Sequence, residues 1–523
     1  MMNELISKQI DDIFALWTNG ICPGGQVLVQ QHGQTIYERC FGYADIENRV
    51  PITPDTIFHV ASVSKQFTVM AVMLLARDGL VDLDADIREY IGEYIAFKDR
   101  VTVRDLMNNN SGIRDLFELQ DIMGICNDDI STQNFVLRLC SRQKEVNFEP
   151  ESKYSYSNMN FILLSAIVEN VTGKTFPDFL KERIFKPLGM EHSAVRDKYW
   201  TCIPNRSKSF IDNGTEYFYN PLVYGLYGAT ALNTCARDLA KWMRNYSEHI
   251  ICDQALIDEM TTVTPLKDNA PTTYACGLWV GSVEGHRYLI HVGEDAGFRT
   301  VTLRLRDDDL NIIILSNTNN TLTDPSAWKI ARLILGMEPL KSAEKPVKEK
   351  FDVSEAAGFY YAELPSSAIV KIVEKNGCFY WCEKYGLTPL TRVRGNLFRA
   401  GRLETYFLLG ADKPMYYTPE ETICLNKAVD APVCECDGKR YEGRYYCEEL
   451  ETFYNIVYEN GTMYMDHIRR GRTTLHPVGK GRFAAEYLRT CFVQFEENEK
   501  GEVTGLYFSG VRVAHMPFTK VSC

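Results

Sequence analysis

The stretch Thr56-Ile57-Phe58-His59-Val60-Ala61-Ser62-Val63-Ser64-Lys65-Gln66-Phe67-Thr68-Val69-Met70-Ala71-Val72-Met73-Leu74-Leu75-Ala76 opens on a largely apolar approach and runs into an apolar helix that Gly79 stops. Ser62 stands at the mouth of that helix, three residues before Lys65. Residues i and i+3 share one helical face, so the Lys65 ammonium reaches the Ser62 hydroxyl. A serine is a weak nucleophile until a neighbour takes its proton. A buried lysine is the cation most readily shifted toward neutrality, and the positive end of a helix favours an alkoxide. Ser-x-x-Lys also begins at Ser141, Ser326 and Ser342. Only the setting of Ser62, apolar on both sides, separates it from a serine cap followed by a solvated lysine.

Two further motifs lie downstream. In Phe148-Glu149-Pro150-Glu151-Ser152-Lys153-Tyr154-Ser155-Tyr156-Ser157-Asn158-Met159-Asn160-Phe161-Ile162-Leu163-Leu164, polar residues and proline give way to an apolar run, the pattern of a loop opening into a helix. A phenol beside a cation ionises below its usual pKa of about 10. Tyr156 is therefore a second candidate for moving the Ser62 proton, and Asn158 is suited to orient Lys65 and a substrate carbonyl. A buried tyrosine with a satisfied hydroxyl is the plainer reading, and Tyr458-Glu459-Asn460 shows the spacing arising elsewhere. The third motif, His291-Val292-Gly293, is the only His-x-Gly in the chain. It follows Tyr288-Leu289-Ile290 and precedes Gly297-Phe298. Glycine lets a strand approach a substrate backbone closely. The backbone N–H groups of Ser62 and Glu294 would then form an oxyanion hole, a donor of that kind being worth about 2.7–4 kcal/mol of barrier. His291 would supply a donor or partial charge beside the leaving group.

Taken together, Ser62-Val63-Ser64-Lys65, Tyr156-Ser157-Asn158 and His291-Val292-Gly293 resemble the motif set of the β-lactamases and penicillin-binding proteins. With Tyr-Ser-Asn second and His-Val-Gly third, the set is similar to the class C β-lactamase-like serine hydrolases, which include esterases, DD-peptidases and D-aminopeptidases. Phe41-Gly42-Tyr43-Ala44-Asp45, Ser111-Gly112-Ile113, Phe185-Lys186-Pro187-Leu188-Gly189-Met190 and Ala236-Arg237-Asp238-Leu239-Ala240 carry the resemblance further, from about Gly24 to about Gly336. It implies an α+β transpeptidase-like domain, an antiparallel sheet flanked by helices. Ser62, Lys65, Tyr156 and His291 would be catalytic, and Asn158, Gly293 and Glu294 would bind substrate. After Gly336 a charged stretch, 337–350, with two prolines reads as a linker. Beyond it come short runs rich in Val, Ile, Tyr and Phe, separated by Gly and Asn turns, which read as antiparallel barrels or sandwiches over 351–430 and 431–523. A catalytic domain over 1–336 followed by two small β-domains resembles the D-aminopeptidase branch, in which both are eight-stranded, lipocalin-like barrels. In that branch a loop of the last barrel restricts the cleft to small substrates with a free amine. Selecting an ammonium calls for an acid, yet the turns Arg469-Arg470-Gly471-Arg472 and Gly479-Lys480-Gly481-Arg482 are basic, with Asp466 and Glu486 the nearby acids. A basic loop meets a substrate carboxylate or faces water.

Composition fits a multidomain enzyme. A chain of 523 residues exceeds what one core fills. The net charge of -12 argues against nucleic acid as a partner. No apolar run reaches the roughly 18 residues that span a bilayer, so no membrane partner is expected. Met1 to Lys8 lacks a signal-peptide core, and the 16 cysteines are scattered with no Cys-x-x-Cys pair. Reduced thiols and a cytoplasmic location are the expectation. No metal or cofactor motif appears, and none is expected. The partner is a small molecule or short peptide, with a homodimer through the barrels left open. The expected activity is release of N-terminal D-residues through an acyl-enzyme. An esterase or β-lactamase-like hydrolase is the alternative, and a non-catalytic ligand-binding relative the third.

Overall fold

Strands Gly25–Gln31 and Leu310–Ser316 are buried almost residue by residue, and their apolar centres, Val27-Leu28-Val29 and Ile312-Ile313-Ile314-Leu315, suit strands covered on both faces. They are neighbours: Leu28 pairs with Ile313 in an antiparallel register, so the first strand of the chain lies against the last of its sheet. The full sheet has seven strands in the spatial order Tyr274–Ala275, Leu278–Val283, His286–Asp295, Phe298–Leu305, Leu310–Ser316, Gly25–Gln31 and Gln34–Phe41, every adjacent pair antiparallel. The computed structural model describes the chain except residues 1–2, 127–128, 270–271, 338–355, 363–368, 384–385, 401–404, 411–412, 418–421, 429–432, 488 and 522–523.

One face of this sheet takes helices Glu4–Ile13 and Thr323–Leu335. Ile10, Phe14, Trp17, Ile330 and Ala331 pack there on Val27, Val29, Val301, Leu303, Ile312 and Ile314. On helix Lys65–Arg77, Gln66 is fully buried. Its amide donates to Thr302 Oγ1 at 2.9 Å and accepts from Trp242 Nε1 and Tyr246 at 3.1 Å. A buried amide is tolerated only when its donors and acceptors are met, so Gln66 fixes the sheet, helix Lys65–Arg77 and helix Ala236–Glu248 in one arrangement. Helix Asn158–Thr172 packs alongside Lys65–Arg77, ended by Gly173 in the left-handed region.

The chain divides into two compact units. One comprises Met1–Ile113 with Asn127–Leu340, the other Arg114–Cys126 with Lys341–Cys523. The stretch 337–350, read as a linker, lies from residue 338 onward outside the described residues. Within the second unit, nine strands run from Gly358–Tyr361 to Asn426–Lys427. Thr422–Cys424 pairs with one edge of this sheet and Asn426–Lys427 with the other, although only Leu425 separates them. A single bent segment thus bridges both edges and nearly closes the sheet. Its interior holds Tyr360, Ile372, Phe398 and Phe407. Eight more strands, Gly443–Cys447 through Met516–Val521, form a closed barrel in which Tyr446 pairs with Thr519. The expected helix-flanked antiparallel sheet is present; of the two β-domains expected as eight-stranded barrels, the second is a closed eight-stranded barrel and the first has nine strands and is nearly closed.

Residues 114–126 stand early in the sequence and pack with the second unit. Arg114 and Glu449 are bonded at 2.9 Å, their side chains 1% and 4% exposed. The Glu118 carboxylate accepts the N–H groups of Val511 and Arg512. The basic turn 469–472 is engaged within the same unit: Arg470 donates to the Ile125 carbonyl at 2.6 Å, and Arg472 pairs with Asp466 and Glu459. Among the described residues, no helix is long and apolar enough to cross a membrane.

Candidate active site

The strand Phe58–His59 leads into a tight turn, Ala61–Ser64, before helix Lys65–Arg77 begins. Ser62, expected at the start of the helix, thus sits on a 3-10 turn three residues before the α-helix begins at Lys65. Ala61 adopts φ +48°, a conformation an L-residue enters at a cost of roughly 1–2 kcal/mol. The turn is held from inside: Ser64 Oγ donates to the Ala61 carbonyl at 2.6 Å and accepts the Leu232 N–H at 3.1 Å. The opposing strand approaches so closely that a Cβ on Gly293 would collide with the Val60 carbonyl oxygen. This is where glycine in the His-x-Gly motif is required. Thr300 Oγ1 donates to that same carbonyl at 2.9 Å.

Lys65 is fully buried. Its Nζ lies 2.9 Å from Ser62 Oγ, 2.9 Å from Asn158 Oδ1 and 2.8 Å from the Ala229 carbonyl. Two of these partners, an amide oxygen and a backbone carbonyl, can only accept. The third, the serine hydroxyl, can accept or donate. The amine therefore donates to Asn158 and Ala229 and lies in hydrogen-bond contact with the Ser62 hydroxyl. The nitrogen also lies 4.8 Å from the centroid of the Tyr156 ring.

Tyr156 is half-buried in the loop preceding helix Asn158–Thr172, which starts at Asn158. Asn109 builds the floor of this loop. It sits at φ +55°, which Asn tolerates better than most residues. Its Oδ1 accepts from Ser157 N at 3.1 Å and from Asn160 Nδ2 at 2.9 Å, and its carbonyl accepts from Ser155 N at 2.8 Å. Ser111 Oγ donates to Asn160 Oδ1 at 2.8 Å. Tyr156 stacks in parallel on Trp279 at 5.9 Å and meets Tyr274 edge-on at 6.1 Å.

His291 is fully buried, and its ring centroid lies 4.7 Å from Trp279 and 6.4 Å from Tyr156. Burial, reinforced by the nearby Lys65 charge, pushes its pKa down to about 3. The ring is neutral at physiological pH. Nδ1 lies 2.7 Å from the Val292 carbonyl, an acceptor, so Nδ1 carries the proton and Nε2 is the bare nitrogen, 3.5 Å from the Tyr274 hydroxyl. Desolvation thus leaves His291 without a full charge, its ring among aromatic side chains and its Nδ1 hydrogen directed to the Val292 carbonyl. Glu294 points outward, 61% exposed and 3.9 Å from Arg299.

Of the residues singled out in the sequence, Ser62, Lys65, Asn158 and Tyr156 meet directly, His291 joins through Trp279 and Tyr274, and Gly293 packs on the turn before Ser62. Sequence reading missed Asn109, Ala229, Tyr274 and Trp279. Trp279 was within reach: a hairpin around Gly285 pairs it with Ile290, one residue before His291. Ala229 gave no signal, since a backbone carbonyl has no identity in sequence. Among the described residues no group of three or more His, Cys, Asp or Glu is placed to hold a metal ion. A hydroxyl and an amine within bonding range, with a tyrosine ring 4.8 Å from the amine, suit acyl transfer through a covalent serine ester.

The D-aminopeptidase of Brucella ovis is 27% identical over 446 residues, covering 84% of this chain and 82% of its own. The octameric penicillin-binding protein homologue from Pyrococcus abyssi aligns with a TM-score of 0.59 at 21% identity, over 82% of this chain and 100% of that one. The D-amino acid amidase from Ochrobactrum anthropi SV3, complexed with L-phenylalanine amide, aligns with a TM-score of 0.54 at 23% identity, over 63% and 97%. These two structures share the fold. Residues 10–336 match the model of one family over most of the first unit, and on that match the chain belongs to the Beta-lactamase family.

Proposed function

We propose that the protein is a D-aminopeptidase, a serine hydrolase that releases N-terminal D-residues from small amides and peptides. The observation that carries the chemistry is Lys65 Nζ, wholly buried and 2.9 Å from Ser62 Oγ, with Asn158 and Ala229 holding it from the other sides. The substrate class is supported by likeness to D-aminopeptidases over 84% of the chain.

In this reading Ser62 Oγ attacks the carbonyl carbon and its proton passes to the Lys65–Tyr156 pair. The N–H groups of Ser62 and Glu294 hold the developing oxyanion. The departing amine takes the proton back from the pair as the carbon–nitrogen bond breaks. Water then adds to the Ser62 ester, and its proton passes through the same pair to Ser62 Oγ as the carbon–Oγ bond breaks and the acid leaves. Neutral His291 orients the aromatic wall through Tyr274 rather than donating charge.

The test is intact mass and turnover with four acyl donors: D-alanine p-nitroanilide, its L-enantiomer, a p-nitrophenyl ester and a chromogenic cephalosporin. A 523-residue chain that cleaves the D-anilide well ahead of the L-form, and loses this with Ser62→Ala, supports the reading. Turnover of the ester or cephalosporin alone replaces it with the esterase or β-lactamase alternative. We place the enzyme in the cytoplasm, which the free cysteines among the described residues support, and cell fractionation checks that. We also propose self-association, in keeping with the octamer named for the Pyrococcus abyssi homologue. A monomer by sedimentation velocity at micromolar concentration overturns it.

A further inference from the structure

Behind the Ser62 turn lies a second buried cluster that the acyl-transfer scheme does not use. His59 and Thr230 are 2% and 5% exposed. His59 Nε2 is 3.0 Å from Asp295 Oδ2 and 3.0 Å from Thr230 Oγ1, and Thr230 Oγ1 donates to the same carboxylate oxygen at 3.2 Å. The Tyr224 hydroxyl donates to it as well. One carboxylate oxygen thus gathers three donors. Burial pushes the Asp295 carboxyl up, but the bonds from His59, Tyr224 and Thr230 outweigh it and hold the group below the usual carboxylate range. Burial holds His59 below its usual range too. With an ionised acceptor opposite, Nε2 is the nitrogen that bears hydrogen.

The three segments tied here are those that meet at the proposed reacting centre. His59 is three residues before Ser62, on a strand whose partner is Leu232–Thr234. Thr230 directly follows Ala229, whose carbonyl accepts from Lys65 at 2.8 Å. Asp295 ends the strand that carries Gly293 and Glu294. A buried ion is weak evidence for stability, because apolar residues of similar volume often serve as well or better. What it provides is a fixed geometry. We propose that His59, Asp295, Thr230 and Tyr224 are positioning residues, locking the Ala229 carbonyl under Lys65 and the Gly293–Glu294 backbone beside Ser62. The inference rests on the reading of Ser62 and Lys65 as the acylating pair.

The test uses Thr230→Val, Thr230→Ser and Asp295→Asn in the full chain, with two readouts: steady-state turnover of D-alanine p-nitroanilide, and the second-order rate at which a fluorescent alkyl fluorophosphonate labels Ser62 as fluoride leaves. Thr230→Val and Asp295→Asn should lower kcat and the labelling rate at least tenfold, with KM changed less than about twofold and the melting transition still cooperative. Thr230→Ser, which keeps the hydroxyl, should return both rates to within about threefold of the parent. Parent-like rates in folded Thr230→Val and Asp295→Asn overturn the proposal. So does a loss confined to melting temperature, with kcat per folded molecule unchanged. A parent that takes the phosphonate at Ser62 but cleaves no D-amide sinks only the substrate reading, and the labelling rates then decide this one. A parent that takes no phosphonate at Ser62 overturns both.

Discussion

At the scale of single residues, the burial of Lys65 sets the chemistry. Under the proposed mechanism, removing its amine takes away a proton carrier 2.9 Å from Ser62 Oγ, and general acid–base groups are worth about 10²–10⁴-fold in rate. Lys65→Ala should lower kcat/KM for D-alanine p-nitroanilide by at least that range and Ser62→Ala should abolish turnover, both with parent-like circular dichroism. His291 gives a pH prediction. Its folded pKa of about 3 lies below the ordinary 6.5, so the unfolded chain binds the proton first as pH falls. The stability contributed by the neutral ring is present above about 6.5 and is lost as pH falls toward the folded value, at roughly 1.4 kcal/mol per unit. The stability difference between parent and His291→Gln, measured by urea unfolding, should therefore shrink in the parent's disfavour from pH 7 to pH 4.5. Ala61 is strained at φ +48°. A left-handed alanine costs roughly 1–2 kcal/mol and glycine's extra freedom when unfolded takes back about 0.5–1, so Ala61→Gly should gain up to about 1.5 kcal/mol in the same unfolding assay.

At the scale of elements, the loop bearing Tyr156 holds its shape through a neighbour rather than through its own sequence. Asn109 accepts from both Ser157 N and Asn160 Nδ2, and Ser157 and Asn160 are both buried. Asn109→Ala strands those donors and places alanine in the left-handed region. The cost is about 2–4 kcal/mol from stranded donors and backbone strain together. Because Tyr156 sits between the two tethers at Ser155 and Ser157, kcat should fall alongside stability, whereas a loss of stability alone would remove Asn109 from the account of the site. Gly277 makes a similar point for the neighbouring strand pair: at φ +72°, a Cβ would lie 2.9 Å from Val69 Cγ2 and 3.2 Å from the Lys65 carbonyl. Helix Lys65–Arg77 and the strand bearing Trp279 fit only because no side chain intervenes.

At the scale of the whole molecule, the chain passes from one unit to the other at residues 113–114, 126–127 and 340–341. The second unit contains a buried charge pair, Arg114 with Glu449. Breaking such a pair from one side leaves a charge without compensation and costs about 3–5 kcal/mol. Glu449→Ala should therefore shift the unfolding of the second unit to lower denaturant. The double change Arg114→Met with Glu449→Leu should recover most of that loss, and equal destabilisation of single and double variants would refute an electrostatic origin. With two units, separate probes need not report one transition, so tryptophan fluorescence and far-ultraviolet circular dichroism should be followed together.

Local order is what the sequence alone determined. The helix after Ser62, the loop opening into helix Asn158–Thr172, the strand ending in His291-Val292-Gly293 and the change to short β-strands after residue 350 are all written in apolar period and turn residues, which act over a few positions at a time. The Ser62–Lys65 contact is of that kind, since the two are separated by three residues. Lys65 meets Asn158 across 93 residues and Ala229 across 164, and no local pattern names such partners. The neutral state of His291, the gathering of three donors on Asp295, the bridging of a sheet by the segment around Leu425 and the packing of residues 114–126 with the barrels were decided only by tertiary structure. Desolvation and long-range pairing depend on what the rest of the chain brings alongside, and that is settled only once it has folded.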